Sequence, residues 1–591
     1  MGKTEISPDT YLVGIGVSPG IAIGKICLIN RQAGATEWRI EADEVESELE
    51  RFALALEQAK LQLRRVKERV ASKPHLREHL YILDTHLLIL EDEMLVQQTV
   101  AEIKQLINAE GALNRTLGKL RRMFDSIEDE YLRDRRSDVD AVGDRLLRIL
   151  AGEQDRTLGE AGKKTLVAAH DLSPADTIQI DKGNILGFVT DRGGRTSHTA
   201  ILARSLEIPA VVGLETVTSV VENEMPAIID GSSGVVVLNP SEATFKEYLQ
   251  RKQAYEYQER DLLSDRALPA TTRDHFTVSL RGNLEATSEV QTALKYGVEG
   301  VGLYRTEFLY MNRSEPPGEE EQVATYSAML KGMAPHSVTI RTLDLGGDKI
   351  VSELSLEDET NPAMGLRAIR FSLREVKLFK TQLRAILRAS VNGTVRIMFP
   401  MISGVAEIRD CKRILDEVRG DLQHEGIAYA EDIPIGIMVE TPSAVLVAPL
   451  LAKEVDFFSI GTNDLIQYCL AVDRGNEHVA YLYEPMHPAI LRALKAICDA
   501  AHEARIEVSI CGEMASEPLY ALVMLGLGLT ELSMNPSCVP RVKQVLRKLT
   551  RADGKALLER LWELPTGKEV VACIEREMCR LLPEIFEQKQ I

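Results

Sequence analysis

The sequence predicts a multidomain α/β protein: an α/β domain interrupted by an inserted helical bundle and followed by a C-terminal (β/α)8 TIM barrel. Three observations predict it. Between residues 269 and 591, eight apolar segments alternate with helix-like stretches. Apolar residues run in a heptad from Val45 to Val70, inside a stretch (31–150) whose one proline is Pro74. Gly-punctuated apolar segments flank that stretch at 11–29 and 164–240. At roughly 150 residues per domain, 591 residues make about four domains, or fewer where one is a large barrel.

Taken in order, residues 11–29 (YLVGIGVSPGIAIGKICLI) read as one or two strands around a Ser-Pro-Gly turn. Val45, Leu49, Phe52, Leu56, Ala59, Leu63, Val66 and Val70 have coiled-coil spacing, so a long helix there must pack on another. A second amphipathic helix around His79–Val100 and a third ending in RLLRIL (145–150) supply partners. Residues 31–150 are therefore expected to be a bundle inserted into an α/β domain made of 1–30 and 151–240. In the second piece KTLVAAH, NILGFVTD, AVVGL and AIIDGSSGVVVLNP read as strands, with a short helix between His198 and Leu206. The charged, Gly-free stretch 241–268 reads as a helical linker.

The barrel, 269–591, is expected to take its strands from 277–283, 300–308, 338–346, 395–401, 435–442, 455–464, 507–515 and 529–536. Each begins apolar and ends in polar or small residues. Continuous apolar strands alternating with helices suit a parallel barrel, whose functional groups sit at strand C-termini. Those ends offer Arg305, Arg341, Asp344, Glu440, Asn463, Asp464, Cys511 and Asn535.

Composition narrows the function. With 70 Lys and Arg against 89 Asp and Glu, the net charge of −19 disfavours nucleic-acid binding while leaving room for local basic pockets that hold small anions. The eight cysteines show no Cys-x-x-Cys pair and no zinc spacing, which fits reduced thiols. No run of 18 apolar residues occurs, so no membrane span is expected. The N-terminal apolar stretch is broken by Gly14, Gly16, Pro19, Gly20 and Gly24, which suits a cytoplasmic protein better than a secreted one.

Two groups of residues carry chemistry. In the barrel, Arg305, Arg341 and Arg474 present planar guanidinium forks that match carboxylate and phosphate. Glu440 and Asp464 are hard oxygen ligands suited to Mg²⁺, and Asn463 is a neutral donor for a phosphate oxygen. Together they fit a small phosphorylated acid; structural ion pairs around the rim are the alternative. Cys511 in ICGEMA is either core packing or a proton donor to a substrate carbon. In the N-terminal half, DRGGRTSHTAILAR (191–204) places a double glycine and a Thr-Ser pair before His198 at a helix start. There the helix dipole favours the neutral, nucleophilic imidazole. Were it to take a phosphoryl group, Thr177 and Arg195 are positioned in sequence to stabilise the oxyanions. The bland reading is a capped, solvent-facing histidine.

The string GGRTSHTAILAR resembles the phosphohistidine signature of the Enzyme I family of the phosphoenolpyruvate:sugar phosphotransferase system. YRTEFLY, RTLDLGGDK, MVETPSA, SIGTNDLIQY, VDRGN and CGEMA resemble that family's phosphoenolpyruvate site, in the family's order. The likeness covers essentially the whole chain. Pyruvate phosphate dikinase and phosphoenolpyruvate synthase share the two modules, but they carry an ATP-binding domain for which no Gly-rich loop is found here.

The resemblance implies that His198 is phosphorylated, that Arg305, Arg341, Arg474, Asn463 and Asp464 bind phosphoenolpyruvate, and that Glu440 and Asp464 hold Mg²⁺. Cys511 is then the acid that protonates the enolate. Thr177, Arg195 and Lys349 are secondary assignments near phosphate. The insertion is implied to dock the histidine phosphocarrier protein HPr, and the barrel to form a homodimer. A regulatory, nitrogen-type paralogue with another carrier is the first alternative; its usual N-terminal sensory domain is not expected here. A non-catalytic scaffold of the same fold is the second, and it predicts loss of His198 or the metal carboxylates.

One stretch departs from the family. RRVKERVASKPHLREHL is basic where relatives are often acidic, although His86 and Glu91-Asp92-Glu93 fit a helix that faces the carrier. His75 and His79 are four residues apart but have no third ligand nearby, so a solvated helix face is expected.

Overall fold

The computed structural model describes residues 7–29, 37–71, 80–125, 136–152, 164–172, 184–194, 199–200, 203, 208–310, 315–345, 361–474, 476 and 479–586. The chain forms two compact units, Met1–Glu259 and Arg260–Ile591.

In the first unit, eight strands make one mixed sheet. They are β1 (Thr10–Val13), β2 (Ile15–Ser18), β3 (Ile21–Ile29), β4 (Thr165–Ala169), β5 (Ile185–Thr190), β6 (Ala210–Val212), β7 (Pro226–Asp230) and β8 (Val235–Leu238), in the order β1-β8-β7-β3-β4-β5-β6-β2. The stretch 11–29 thus holds parts of three strands rather than one or two, because Gly14 and the Pro19-Gly20 turn each end a strand. Strands β3, β4, β5 and β6 run parallel, so the C-terminal ends of β4 and β5 lie side by side. The sheet buries apolar residues on both faces, with Val167, Phe188 and Val212 in one layer and Leu166, Val189 and Val211 in the other.

Between the parallel neighbours β3 and β4 the chain builds a helical bundle: α1 (Val45–Ala71), α2 (Leu80–Glu91), α3 (Glu93–Ile103), α4 (Ala109–Asp125) and α5 (Arg136–Leu150). The heptad does what its spacing requires. Phe52, Leu56, Ala59, Leu63 and Val66 are buried in a core shared with Leu90, Leu113, Leu117 and Leu146. The single helix expected over His79–Val100 is two helices. Asp92 leaves helical geometry (ψ 121°) and accepts from Met94 N at 2.7 Å, so it starts α3 instead of continuing α2. His86 also corrects the sequence reading, which put it on a carrier-facing surface. It is 2% exposed and meets Asp138 Oδ1 at 3.2 Å. His75 and His79 lie outside the described residues.

The linker is a continuous helix, α6 (Glu242–Ser264), followed by a short 3₁₀ turn. Tyr248 on it packs against Ile21, Ile228 and Val237 of the sheet.

In the second unit, eight parallel strands close into a barrel: β10 (Thr277–Leu284), β11 (Val301–Arg305), β12 (Val338–Arg341), β13 (Val395–Phe399), β14 (Ile435–Val439), β15 (Phe457–Ile460), β16 (Glu507–Ile510) and β17 (Glu531–Met534). Strand β10 pairs with both β17 and β11, and a two-residue strand, β9 (Ala270–Thr271), adds antiparallel to β10. All eight barrel strands fall where the sequence placed them. Seven of them stop two to five residues before the expected C-terminal ends, where small and polar residues turn the chain into its loops. No described helix is long and apolar enough to cross a membrane.

Candidate active site

The C-terminal end of the barrel gathers the expected barrel residues. Arg305 and Arg341 are the last residues of β11 and β12 and are register partners on these adjacent strands. Glu440 follows β14 and Cys511 follows β16. Asp464 lies in the first turn of the helix Thr462–Leu470 that follows β15.

These side chains form a chain of alternating charge. Glu307 Oε1 accepts from Arg341 Nη2 at 3.0 Å and from Asp344 N at 2.9 Å. Arg341 Nη1 lies 3.0 Å from Asp344 Oδ2. Arg367 Nη2 donates to Asp344 Oδ1 at 2.8 Å and lies 3.5 Å from Asp464 Oδ2. Arg474 Nη2 lies 3.8 Å from Asp464 Oδ1 and is half exposed. Arg305 is also half exposed and donates to Glu285 Oε1 at 2.5 Å. The sequence reading singled out neither Glu307 nor Arg367. Arg367 precedes the helix Ala368–Arg374 rather than ending a strand, and Tyr468 OH holds it at 3.3 Å.

Burial sets the charge states. Burial alone would raise the Asp344 carboxyl, but Arg341 and Arg367 outweigh it and hold it below its usual value. Burial likewise opposes charge on Arg341 and Arg367, and their carboxylate neighbours overcome it. Glu440 goes the other way. Burial, then the nearby Asp464 and Asp344, push its carboxyl well above the usual range. Among the described residues it makes no ion pair, and its Oε1 accepts from Met401 N at 2.7 Å. Glycine at 461 leaves room for its other oxygen, which would lie 2.7 Å from a Cβ there.

A buried carboxylate without a cation, beside a second carboxylate, is a donor set that fits a hard divalent ion. Two carboxylates suit a cation that completes its shell with substrate oxygens. No cluster of three or more His, Cys, Asp or Glu ligands forms among the described residues.

Cys511 sits inside the barrel with Leu303, Met398, Met438 and Phe457, and burial pushes its thiol up to about 11. Its carbonyl accepts from Asn283 Nδ2 at 2.9 Å. Gly512 has to be glycine, because a Cβ would collide with Thr462 Oγ1. Asn463 Oδ1 accepts from Glu513 N at 3.0 Å, which makes Nδ2 its donor end. Asn535, by contrast, caps its own turn through Ser537 N at 3.0 Å.

His198, Arg195, Thr177 and Lys349 lie outside the described residues. What is described is the segment that precedes His198 in the sequence, up to Gly194. Asp191 is buried, accepts from Thr218 N at 3.1 Å and from Thr218 Oγ1, and meets His170 Nδ1 at 3.0 Å. Gly193 takes φ +116°, a value that L side chains rarely adopt. The sequence reading took Asp191 for a turn residue; its anchoring role depends on Thr218 and His170, which are distant in sequence.

A barrel whose mouth pairs arginines with carboxylates defines a class of anion-handling enzymes, and comparison with known proteins makes this specific. The chain matches three family descriptions in order: "PEP-utilising enzyme, N-terminal" over 13–135, "PEP-utilising enzyme, mobile domain" over 162–234, and "PEP-utilising enzyme, PEP-binding domain" over 259–551. It is 43% identical to the phosphoenolpyruvate-protein phosphotransferase of Bacillus sp. (strain S) over 95% of this chain and 97% of that one. To the protein of the same name from Bacillus subtilis it is 42% identical, over 95% and 99%. To that of Haemophilus influenzae it is 40% identical, over 95% and 98%. The chain belongs to the phosphoenolpyruvate-utilising enzymes, within their phosphoenolpyruvate-protein phosphotransferase family.

Proposed function

We propose that phosphoenolpyruvate binds at the barrel mouth, gives its phosphoryl group to His198, and that His198 passes it to a histidine of the phosphocarrier protein HPr as the first step of sugar phosphotransfer. The observation that carries this reading is the run of Arg341, Arg367 and Arg474 linked through Asp344 and Asp464 beside a buried Glu440 that makes no ion pair among the described residues. Arg305, Arg341, Arg367, Arg474 and the Nδ2 end of Asn463 bind the carboxylate and phosphate of the substrate. Glu440 and Asp464 would hold Mg²⁺, which when bound supplies neutralisation of the substrate's negative charge.

The neutral imidazole of His198 attacks phosphorus in line, and the bond from phosphorus to the enol oxygen breaks with its electrons on that oxygen. Catalysis in such a step is mostly positioning and electrostatics. The enolate's methylene carbon then takes a proton from Cys511, and the thiolate regains one from solvent. A thiol whose burial keeps it protonated at neutral pH is suited to that donation. Thr177 and Arg195 stabilise the phosphorylated imidazole, and Lys349 assists at phosphate.

The helical insertion receives the carrier. Leu446 and Leu450, exposed on the barrel, support a homodimer through that unit. The protein works in the cytoplasm.

The test is to incubate the protein with phosphoenolpyruvate, Mg²⁺ and HPr and to follow the phosphoryl group by mass. His198→Ala should abolish uptake while phosphoenolpyruvate still binds; a phosphoryl group on another histidine in that variant overturns the assignment.

A further inference from the structure

Behind the barrel mouth lies a buried hydrogen-bonded network that touches none of the charged groups directly. Gln382, on the helix Val376–Ala389, is fully buried. Its Oε1 accepts from Leu343 N at 3.0 Å. Its Nε2 donates to Thr306 Oγ1 at 3.1 Å and to Tyr326 OH at 3.3 Å. Thr306 Oγ1 in turn donates to the Arg341 carbonyl at 3.0 Å. Tyr326 OH and Tyr310 OH donate to Gln322 Oε1 at 3.0 and 3.1 Å, and Gln322 Nε2 donates to the Pro317 carbonyl at 3.0 Å.

The donor inventory fixes the direction of every bond. A backbone N–H can only donate and a carbonyl can only accept, so Gln382 must turn its oxygen to Leu343 and its nitrogen to Thr306 and Tyr326. Each hydroxyl then gives one bond and accepts at most one, and no member conflicts with another. A buried network satisfied in this way holds one geometry, because any shift strands a polar group.

What the network joins gives it a role. Thr306 stands between Arg305 and Glu307. Leu343 stands between Arg341 and Asp344, one residue from the second and two from the first. We propose that Gln382, acting through Thr306, is a positioning residue that fixes how the segments leaving β11 and β12, and with them the strand-end Arg305 and Arg341, are set toward substrate. The proposal rests on the reading that these arginines bind phosphoenolpyruvate. It goes beyond that reading because Gln382 lies behind the charges and touches no substrate. The Glu307 contacts to Arg341 Nη2 and Asp344 N join the same two segments through a second set of buried bonds.

The experiment replaces Gln382 by Met, which keeps the length and removes the hydrogen bonds, and Thr306 by Val and by Ser. KM for phosphoenolpyruvate, kcat and thermal stability are measured on the full chain, with onward transfer from preformed phospho-His198 as a separate readout. Displacement of positioning groups by an ångström costs up to about a hundredfold. Gln382→Met and Thr306→Val should therefore each raise KM roughly tenfold to a hundredfold, with onward transfer unchanged. Thr306→Ser should restore the wild-type KM, and the double variant Gln382→Met/Thr306→Val should be no worse than the poorer single one.

Lowered stability with an unmoved KM would make Gln382 merely structural and overturn the proposal, as would additive effects in the double variant. If Gln382→Met does not fold, the Thr306 pair carries the same test. An Arg341→Gln control separates the two failures. If that variant binds phosphoenolpyruvate normally, the reading of the mouth is wrong. If it loses binding while the Gln382 and Thr306 variants keep theirs, only the positioning proposal falls.

Discussion

At the scale of single residues, two groups in the mouth have opposite responses to pH. Burial raises the Cys511 thiol from 9.0 to about 11. The stability tied to its neutral form is complete below pH 9.0 and is lost as pH rises towards about 11. Cys511→Ser should remove that alkaline loss. It should also cut pyruvate formation steeply while phosphoenolpyruvate binding survives, since the arginines are untouched. Near-normal turnover would return Cys511 to core packing.

Asp344, held below its ordinary 3.8, stabilises the barrel above that pH and loses its contribution as pH falls further. Asp344→Asn removes the carboxylate that Arg341 and Arg367 share, leaves them Glu307 and Asp464 as remaining partners, and should cost up to about 3–5 kcal/mol at neutral pH. Urea titrations at pH 7 and pH 3 should show the deficit shrinking at the lower pH. Most of this site was legible in the sequence because its groups end barrel strands, where chemistry is expected. Arg367 was not, because it enters from the segment before the helix Ala368–Arg374, where no periodicity marks it. His198, Arg195, Thr177 and Lys349 were legible only as motif, and their geometry lies outside the described residues.

At the scale of elements, the heptad of α1 gives a sharp expectation. Leu63 is fully buried among Leu113, Leu117 and Leu146. Leu63→Ala should cost about 2–5 kcal/mol, the transfer term plus a cavity. Limited proteolysis should locate the weakening in the bundle, and cleavage confined to the barrel would contradict that placement. Buried parallel strands and the α1 seam were readable because each is a periodic or continuous apolar signal. The break at Asp92 was missed because apolar residues continue on both sides of it, while the interruption is a single capping side chain. The helix α4 went unread because Gly111 and Gly118 lower its intrinsic propensity by roughly 1 kcal/mol each relative to alanine. At Gly111 tertiary packing decides the residue: a Cβ would lie 2.7 Å from Asn108 Oδ1 and 2.8 Å from Glu37 Cγ.

At the scale of the whole molecule, the two units divide the work. On the proposed reading, substrate-binding groups come from the barrel, while His198 and the helical insertion fall within the first unit, Met1–Glu259. A ligand that binds only the folded barrel stabilises that unit by RT ln(1 + [L]/Kd), about 2.7 kcal/mol at a hundredfold excess over Kd. Hydrogen exchange reads this segment by segment, because opening in one core need not involve another. With Mg²⁺ and phosphoenolpyruvate added to His198→Ala, which removes turnover, protection should rise in 301–310, 338–345, 435–440 and 457–470. It should stay unchanged in α1 through α5. The carrier should give the reverse pattern, protecting the bundle and leaving the barrel strands as they were. If phosphoenolpyruvate instead protects α1 through α5 as strongly as the strand ends, the insertion takes part in substrate binding and the assignment of the two steps to different units is wrong.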